Sequence, residues 1–114
     1  MPGVRVQVSG DVDALPPAVG TALYLIAAEA VTNATRHASG ATRVTVDVAA
    51  SRSQVRLRVH DDGAARTASP RSAGYGLRGM AERASLLGGT LRAGPDPAGG
   101  WSVDASLPHT VRTS

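Results

Sequence analysis

The 114-residue sequence predicts an α/β (α+β) two-layer sandwich. Three observations carry that expectation. Valines alternate with polar residues in three short runs, at 4–8, 44–48 and 55–59, which is the period of a strand with one buried face. Two Ala- and Leu-rich stretches, one after Pro16-Pro17 and one after Gly74, lack that period and suit helices. The resulting order is strand, helix, strand, strand, loop, helix, strand, strand. Its helices cannot cover both faces of an all-parallel sheet, so a two-layer sandwich is the natural solution.

Val4, Val6 and Val8 alternate with Arg5, Gln7 and Ser9 as a first, half-buried strand. Pro16 and Pro17 stand where a first helical turn tolerates proline, and the chain then stays rich in Ala, Leu and Ile up to His37. This long helix ends near Ala38-Ser39-Gly40. Val44, Val46 and Val48 alternate with Arg43, Thr45 and Asp47; after Ser51-Arg52-Ser53, Val55, Leu57 and Val59 alternate with Arg56, Arg58 and His60. Two strands joined by a hairpin-length turn result. From Asp61 to Ala73 the composition turns to Gly, Ala, Arg, Ser, Thr and Pro, a loop long enough to carry function or mobility. A second helix runs from about Tyr75 to Leu87 and stops at Gly88-Gly89. Thr90 to Ala93 forms the next strand, residues 95–100 a Pro/Gly turn, and the last strand sets Trp101, Val103, Ala105 and Leu107 on one face. The expectation is one domain over residues 1–108, with 109–114 as a disordered tail.

Phe and Cys are absent, and Trp101, Tyr24 and Tyr75 are the only aromatic residues, so Val, Leu, Ile and Ala must build the core. No disulfide can form, no apolar run approaches the ~20 residues that span a bilayer, and the N-terminus has no signal-peptide pattern. All twelve basic residues are Arg; against nine acids they leave a net charge of +3. They are scattered from Arg5 to Arg112 without a dense block or interleaved aromatics, which argues against nucleic acid and suits a small anionic ligand.

On the long helix Glu29, Asn33, Arg36 and His37 stand at i, i+4, i+7 and i+8 and form one polar stripe. Leu25 and Ile26 flank it, and Leu23, Ala27, Ala30, Val31 and Ala34 take the core side. A carboxylate and an amide oxygen one turn apart can hold a hydrated Mg²⁺ or a water, while Arg36 and His37 bring positive charge for phosphate. A solvated helix face is the plainer alternative. Asp61 shares the parity of Val55, Leu57 and Val59 and so points inward at its strand end, where a carboxylate needs a hydrogen-bond donor. A ligand amino group would serve; so would a turn at Asp62-Gly63 capped by the carboxylate.

Gly74-Tyr75-Gly76-Leu77-Arg78-Gly79-Met80 leads into the second helix, and such glycine-rich entries present backbone N–H groups to phosphate. The run also satisfies the dinucleotide pattern G-x-G-x-x-G. That reading fails because residues 66–73 are no strand and Asp96 lies in a turn. Asn33-Ala34-Thr35 is a formal glycosylation site without a secretory signal, and His37, His60 and His109 lack metal-ligand spacing.

Taken together, Glu29-x-x-x-Asn33-x-x-Arg36-His37-Ala38, Asp61-Asp62-Gly63, the run from Gly74 to Met80, and Glu82-Arg83-Ala84-x-x-Leu87-Gly88-Gly89 resemble the catalytic, ATP-binding domain of bacterial sensor histidine kinases. The nitrate-sensor type is the nearest variant. The resemblance covers nearly the whole chain and implies a Bergerat (GHKL) fold: a mixed, mostly antiparallel sheet of about five strands with helices on one face, and ATP held between helices under a lid. It implies that Asn33 binds Mg²⁺ and that Glu29 polarises the attacking group or orders water. It implies that Asp61 accepts from the adenine amino group and that Gly63 lets the chain turn beneath the base. Arg36 and His37 would approach the phosphates. Residues 64–73 would be the lid, hinged at Gly63 and Gly74. Gly74, Tyr75, Gly76 and Leu77 would contact the nucleotide, with amides near Gly76 and Leu77 facing phosphate at the helix start. One position departs: Ala65 stands where the family has a second glycine.

The function so implied is a cytoplasmic protein histidine kinase domain of a two-component system, using ATP and Mg²⁺. It would transfer the γ-phosphoryl group to a histidine on a separate dimerisation domain and, indirectly, to a response regulator. It would touch neither nucleic acid nor membrane, and would be inactive without its phosphoacceptor domain. A nucleotide-binding or interaction module without kinase activity, and a serine kinase of the anti-sigma type, are the alternatives.

Overall fold

The computed structural model describes residues 3–37, 40–63 and 70–109, with the backbone only at 37 and 70–75. The elements are β1 (Gly3–Ser9), a 3₁₀ turn (Val12–Ala14), α1 (Pro17–His37), β2 (Arg43–Ala50), β3 (Gln54–Asp61), α2 (Pro70–Leu86), β4 (Thr90–Pro95) and β5 (Trp101–Pro108). They build one five-stranded sheet in the order β1-β2-β3-β5-β4. β1 runs parallel to β2 through the crossover made by α1, and every other neighbour is antiparallel. The expected mixed sheet with one helical layer is therefore observed.

Alternation along the strands sorts the two faces. Val46 pairs with Val59, Val59 with Val103 and Val103 with Ala93, while the row beside it pairs Val48 with Leu57, Leu57 with Ala105 and Ala105 with Leu91. These rows lie beneath the helices and form the core with Val44, Val55 and Leu107. The opposite face is polar, with Asp47, Arg58, Asp104 and Arg92 in one cross-strand row of alternating charge. There Arg58 pairs with Asp104 at 3.6 Å and also with Asp96 in the β4–β5 turn. Only one face can bury, so the molecule stops at two layers.

α1 lies over β2, β3 and β5; α2 lies over β4 and β5 and against α1. The buried stripe of α1 is Val19, Ala22, Ile26, Ala30 and Ala34, spaced at three and four residues. Its alanines let the helix approach the sheet closely. Ile26, expected beside the polar stripe, is fully buried, while Leu23, Ala27 and Val31 are half-buried on the flank toward β1. From α2, Met80 and Ala84 enter the core, and the helix stops at Gly88-Gly89, whose amides donate to Ser85 and Ala84 carbonyls.

Three expectations need correction. β1 is exposed along its whole length, because it lies at the sheet edge beyond the reach of the helical layer. α2 begins at Pro70, so residues 70–73, expected in the lid, are its first turn. Proline is favoured at a first helical position, and Ser69 before it is a capping residue type, a start signal hidden in a loop-like composition. β4 extends to Pro95. The rest of the expected lid, 64–69 with Ala65, and the tail from 110 lie outside the described residues; His109 donates its amide to the Ser53 carbonyl at 3.0 Å. Among the described residues no helix is long and apolar enough to cross a membrane.

Candidate active site

Two places on the fold gather the expected site residues. The first is the C-terminal end of β3. Asp61 faces inward with 1% of its surface exposed, in register between Val44 on β2 and Trp101 on β5. Its Oδ1 accepts the Gly63 N–H at 3.0 Å. Asp61 is thus inward-facing as expected, and of its two expected donors the turn is the one observed, the carboxylate capping it at Gly63.

The next residue does different work. The Asp62 carboxylate accepts the Thr42 hydroxyl at 2.7 Å and the backbone N–H groups of Thr42 and Arg43 at 2.8 and 3.0 Å. Led by the Thr42 hydroxyl, these donors hold its carboxyl at about 2, below the ordinary 3.8. Asp62 therefore ties the entry of β2 to the exit of β3 and fixes the strand ends on which Asp61 sits. Sequence reasoning placed no such role on it; the Asp-Gly pair marked a turn, but the partner lies about 20 residues away in the chain.

The second place is the α1–α2 contact. Glu29 and Arg36 are exposed and Asn33 half-buried, on the flank of α1 that meets α2. Gly76 sits directly on this flank. A β-carbon built there would stand 2.6 Å from Asn33 Nδ2 and 3.0 Å from Glu29 Oε1, so any larger residue would push the tips of these two side chains aside. Beside this contact a groove of about 270 Å³ is lined by Glu29, Thr32, Gly76, Gly79 and Arg83, among others. The structure thus brings Glu29, Asn33 and Gly76 together and sets Asp61 and Gly63 on the neighbouring strand end. The side chains of His37 and Tyr75 lie outside those described.

One expectation changes in character. Gly74 lies within α2, and Gly76 and Leu77 lie more than a turn inside that helix. Their N–H groups are committed to carbonyls four residues back, so they are not at a helix N-terminus open to phosphate.

No group of three or more His, Cys, Asp or Glu side chains that could hold a metal occurs among the described residues. The oxygen donors of Glu29 and Asn33 suit a hard cation that takes its remaining ligands from phosphate and water. Both side chains reach the groove beside α2 or its wall, Glu29 lining it and Asn33 meeting Gly76, and by the chemistry of their oxygens the residues present fit such an ion.

The site therefore sits on a five-stranded mixed sheet with two helices on one face, with a buried carboxylate at a strand end and a Glu-Asn pair on the covering helix. Residues 18–111 match the model of the histidine kinase-, DNA gyrase B-, and HSP90-like ATPase family, and the chain belongs to that family. It is 34% identical over 93 residues to the sensor histidine kinase YxjM of Bacillus subtilis, covering 82% of this chain and 22% of that protein. It is 34% identical over 111 residues to the sensor histidine kinase MctS of Rhizobium johnstonii, covering 94% of this chain and 24% of that protein. Among solved structures, the ATP-binding domain of PrrB from Mycobacterium tuberculosis matches with a TM-score of 0.67 at 26% identity, over 96% of this chain and 83% of that one. The blue-light activated histidine kinase EL346 of Erythrobacter litoralis matches with a TM-score of 0.71 at 26% identity, over 93% and 38%. The chain spans about a quarter of the length of the curated relatives it matches.

Proposed function

We propose that this domain binds ATP with Mg²⁺ beside α1 and, within a longer cytoplasmic sensor kinase, donates the γ-phosphoryl group to a histidine on a separate dimerisation domain. A response regulator then receives it. The observation that carries this reading is the seat of Gly76 on Glu29 and Asn33, one strand end away from a buried, inward Asp61, in a chain of this family.

Asp61 accepts from the adenine amino group through a charge-assisted hydrogen bond. Gly63 lets the chain pass beneath the base. Asn33 offers its amide oxygen to the cation, and Glu29 orders water there or polarises the attacking imidazole. The cation, when bound, neutralises charge on the phosphates. Arg36 and His37 approach those phosphates from the end of α1. Gly74, Tyr75, Gly76 and Leu77 reach the nucleotide through their backbone after the first turns of α2 open, since an N–H held by a helical carbonyl cannot also serve an anion. Catalysis is then positioning and charge neutralisation around an in-line transfer.

Calorimetric titration of Mg-ATP into the wild type and Asp61→Asn tests the site. If the amide keeps its oxygen on Gly63, its NH2 replaces the second carboxylate oxygen and sets a donor against the adenine amino group, so a loss of tenfold or more, at least about 1.4 kcal/mol, is expected. Equal affinities would remove the adenine assignment. Labelled ATP supplied with a histidine-bearing dimerisation fragment tests transfer: label is expected on the fragment and not on this chain.

A further inference from the structure

The flank of α1 opposite Glu29 and Asn33 looks toward β1 across an apolar groove of about 640 Å³, whose walls include Val4, Val6, Val8, Leu23, Tyr24 and Val31. Val4, Val6 and Val8 are 50%, 59% and 54% exposed and Tyr24 70%. These are four of the five exposed large hydrophobic residues among those described, so the exposure is one patch rather than scatter. β1 pairs with β2 in unbroken one-to-one register, and no strand covers its other side among the described residues. It has no proline and no bulge, two of the devices that ordinarily blunt an edge, and carries a single charge, Arg5.

We infer that this edge receives β1 of a second copy of the chain, antiparallel, about a two-fold axis through Val6. The strand is self-complementary. With Val6 opposite Val6 of the partner, Val4 meets Val8, Val8 meets Val4, and Arg5 meets the neutral amide of Gln7. Shifting the pairing by two residues loses a valine pair and sets Arg5 against Arg5 or Gln7 against Gln7. Shifting by one residue sets valine against polar residues and turns one copy's valines to the other face. An isologous edge pairing satisfies the outward amides and carbonyls of both strands, makes one continuous sheet, and merges two valine rows into a strip bounded by the Leu23 and Tyr24 flanks of both α1 helices.

The absence of cysteine gives a clean test. Single Val6→Cys should form a symmetric disulfide, since antiparallel partners place Cα atoms within the range a disulfide spans. Val4→Cys and Val8→Cys should each cross-link poorly by itself and readily when mixed. Leu86→Cys, exposed on α2, sets the rate of chance collision. Sedimentation of the wild type over a concentration series should approach twice the 11.6 kDa chain mass, and Val6→Arg, on a half-exposed side chain, should stay monomeric with an unchanged circular dichroism spectrum. Monomer at every concentration, Val6→Cys no faster than Leu86→Cys, or Val4→Cys homodimers as abundant as the mixed pair would each overturn the inference.

Discussion

Gly100 stands against the backbone of Asp61: a β-carbon on Gly100 would lie 1.9 Å from the Asp61 carbonyl oxygen. The β4–β5 turn is thereby seated on the strand end that presents the buried carboxylate, next to the pairing of Asp61 with Trp101. Gly100 also has φ +79°, so alanine there meets backbone strain of about 1 kcal/mol in addition to the collision. Gly100→Ala is expected to cost about 2–4 kcal/mol by denaturant unfolding and to weaken Mg-ATP binding. Gly99→Ala meets no neighbour within 4 Å and carries only the strain of φ +102°, so it should cost less and leave binding unchanged.

Gly76→Ala and Gly79→Ala should differ in their effect on stability. Both lie in α2, where alanine favours the helix over glycine by about 0.5–1 kcal/mol. At Gly79 nothing lies within 4 Å, so the substitution should raise Tm. At Gly76 the new methyl meets the tips of the Asn33 and Glu29 side chains, which must turn aside, so the gain in Tm should be smaller than at Gly79. Thermal melts read the difference, and nucleotide titration should show loss for Gly76→Ala alone.

Asp62 makes the fold acid-sensitive. Its folded carboxyl titrates near 2 against 3.8 ordinarily, so its contribution is complete above pH about 4 and is lost as pH falls toward 2. Asp62→Ala should lower Tm at neutral pH and flatten the fall of stability over that window. A residual slope should remain, because Asp96 is also held low, chiefly by the Ser102 hydroxyl and the Ala98 amide, with Arg58 assisting. A slope equal to that of the wild type would remove Asp62 from this role.

Asn33→Ala separates binding from folding. Asn33 is half-buried on the flank of the buried α1 stripe, so its truncation should change stability by less than about 1 kcal/mol. Affinity for ATP in the presence of Mg²⁺ should fall tenfold or more, while affinity in chelator should change little. Parallel titrations with and without the cation read the difference.

Local alternation and composition determined the strands, the long helix, the inward parity of Asp61 and the polar stripe of Glu29, Asn33 and Arg36, because these follow from periods of two and 3.6 residues. They did not determine which valines bury: Val4, Val6 and Val8 have the same pattern as Val44, Val46 and Val48, and only the position of α1 over the inner strands leaves the first set exposed. The same limit applies to Gly76, Gly100 and Asp62. Each matters through a partner far along the chain, Asn33, Asp61 and Thr42 respectively, and contacts at such separation depend on how helices cross and strands pair. Ser69-Pro70 is the signal that could have placed the start of α2, read from the sequence at about Tyr75, but the packing of its glycine on the Glu29 and Asn33 side chains came from tertiary structure, where fit between helices is decided by shape rather than by local preference.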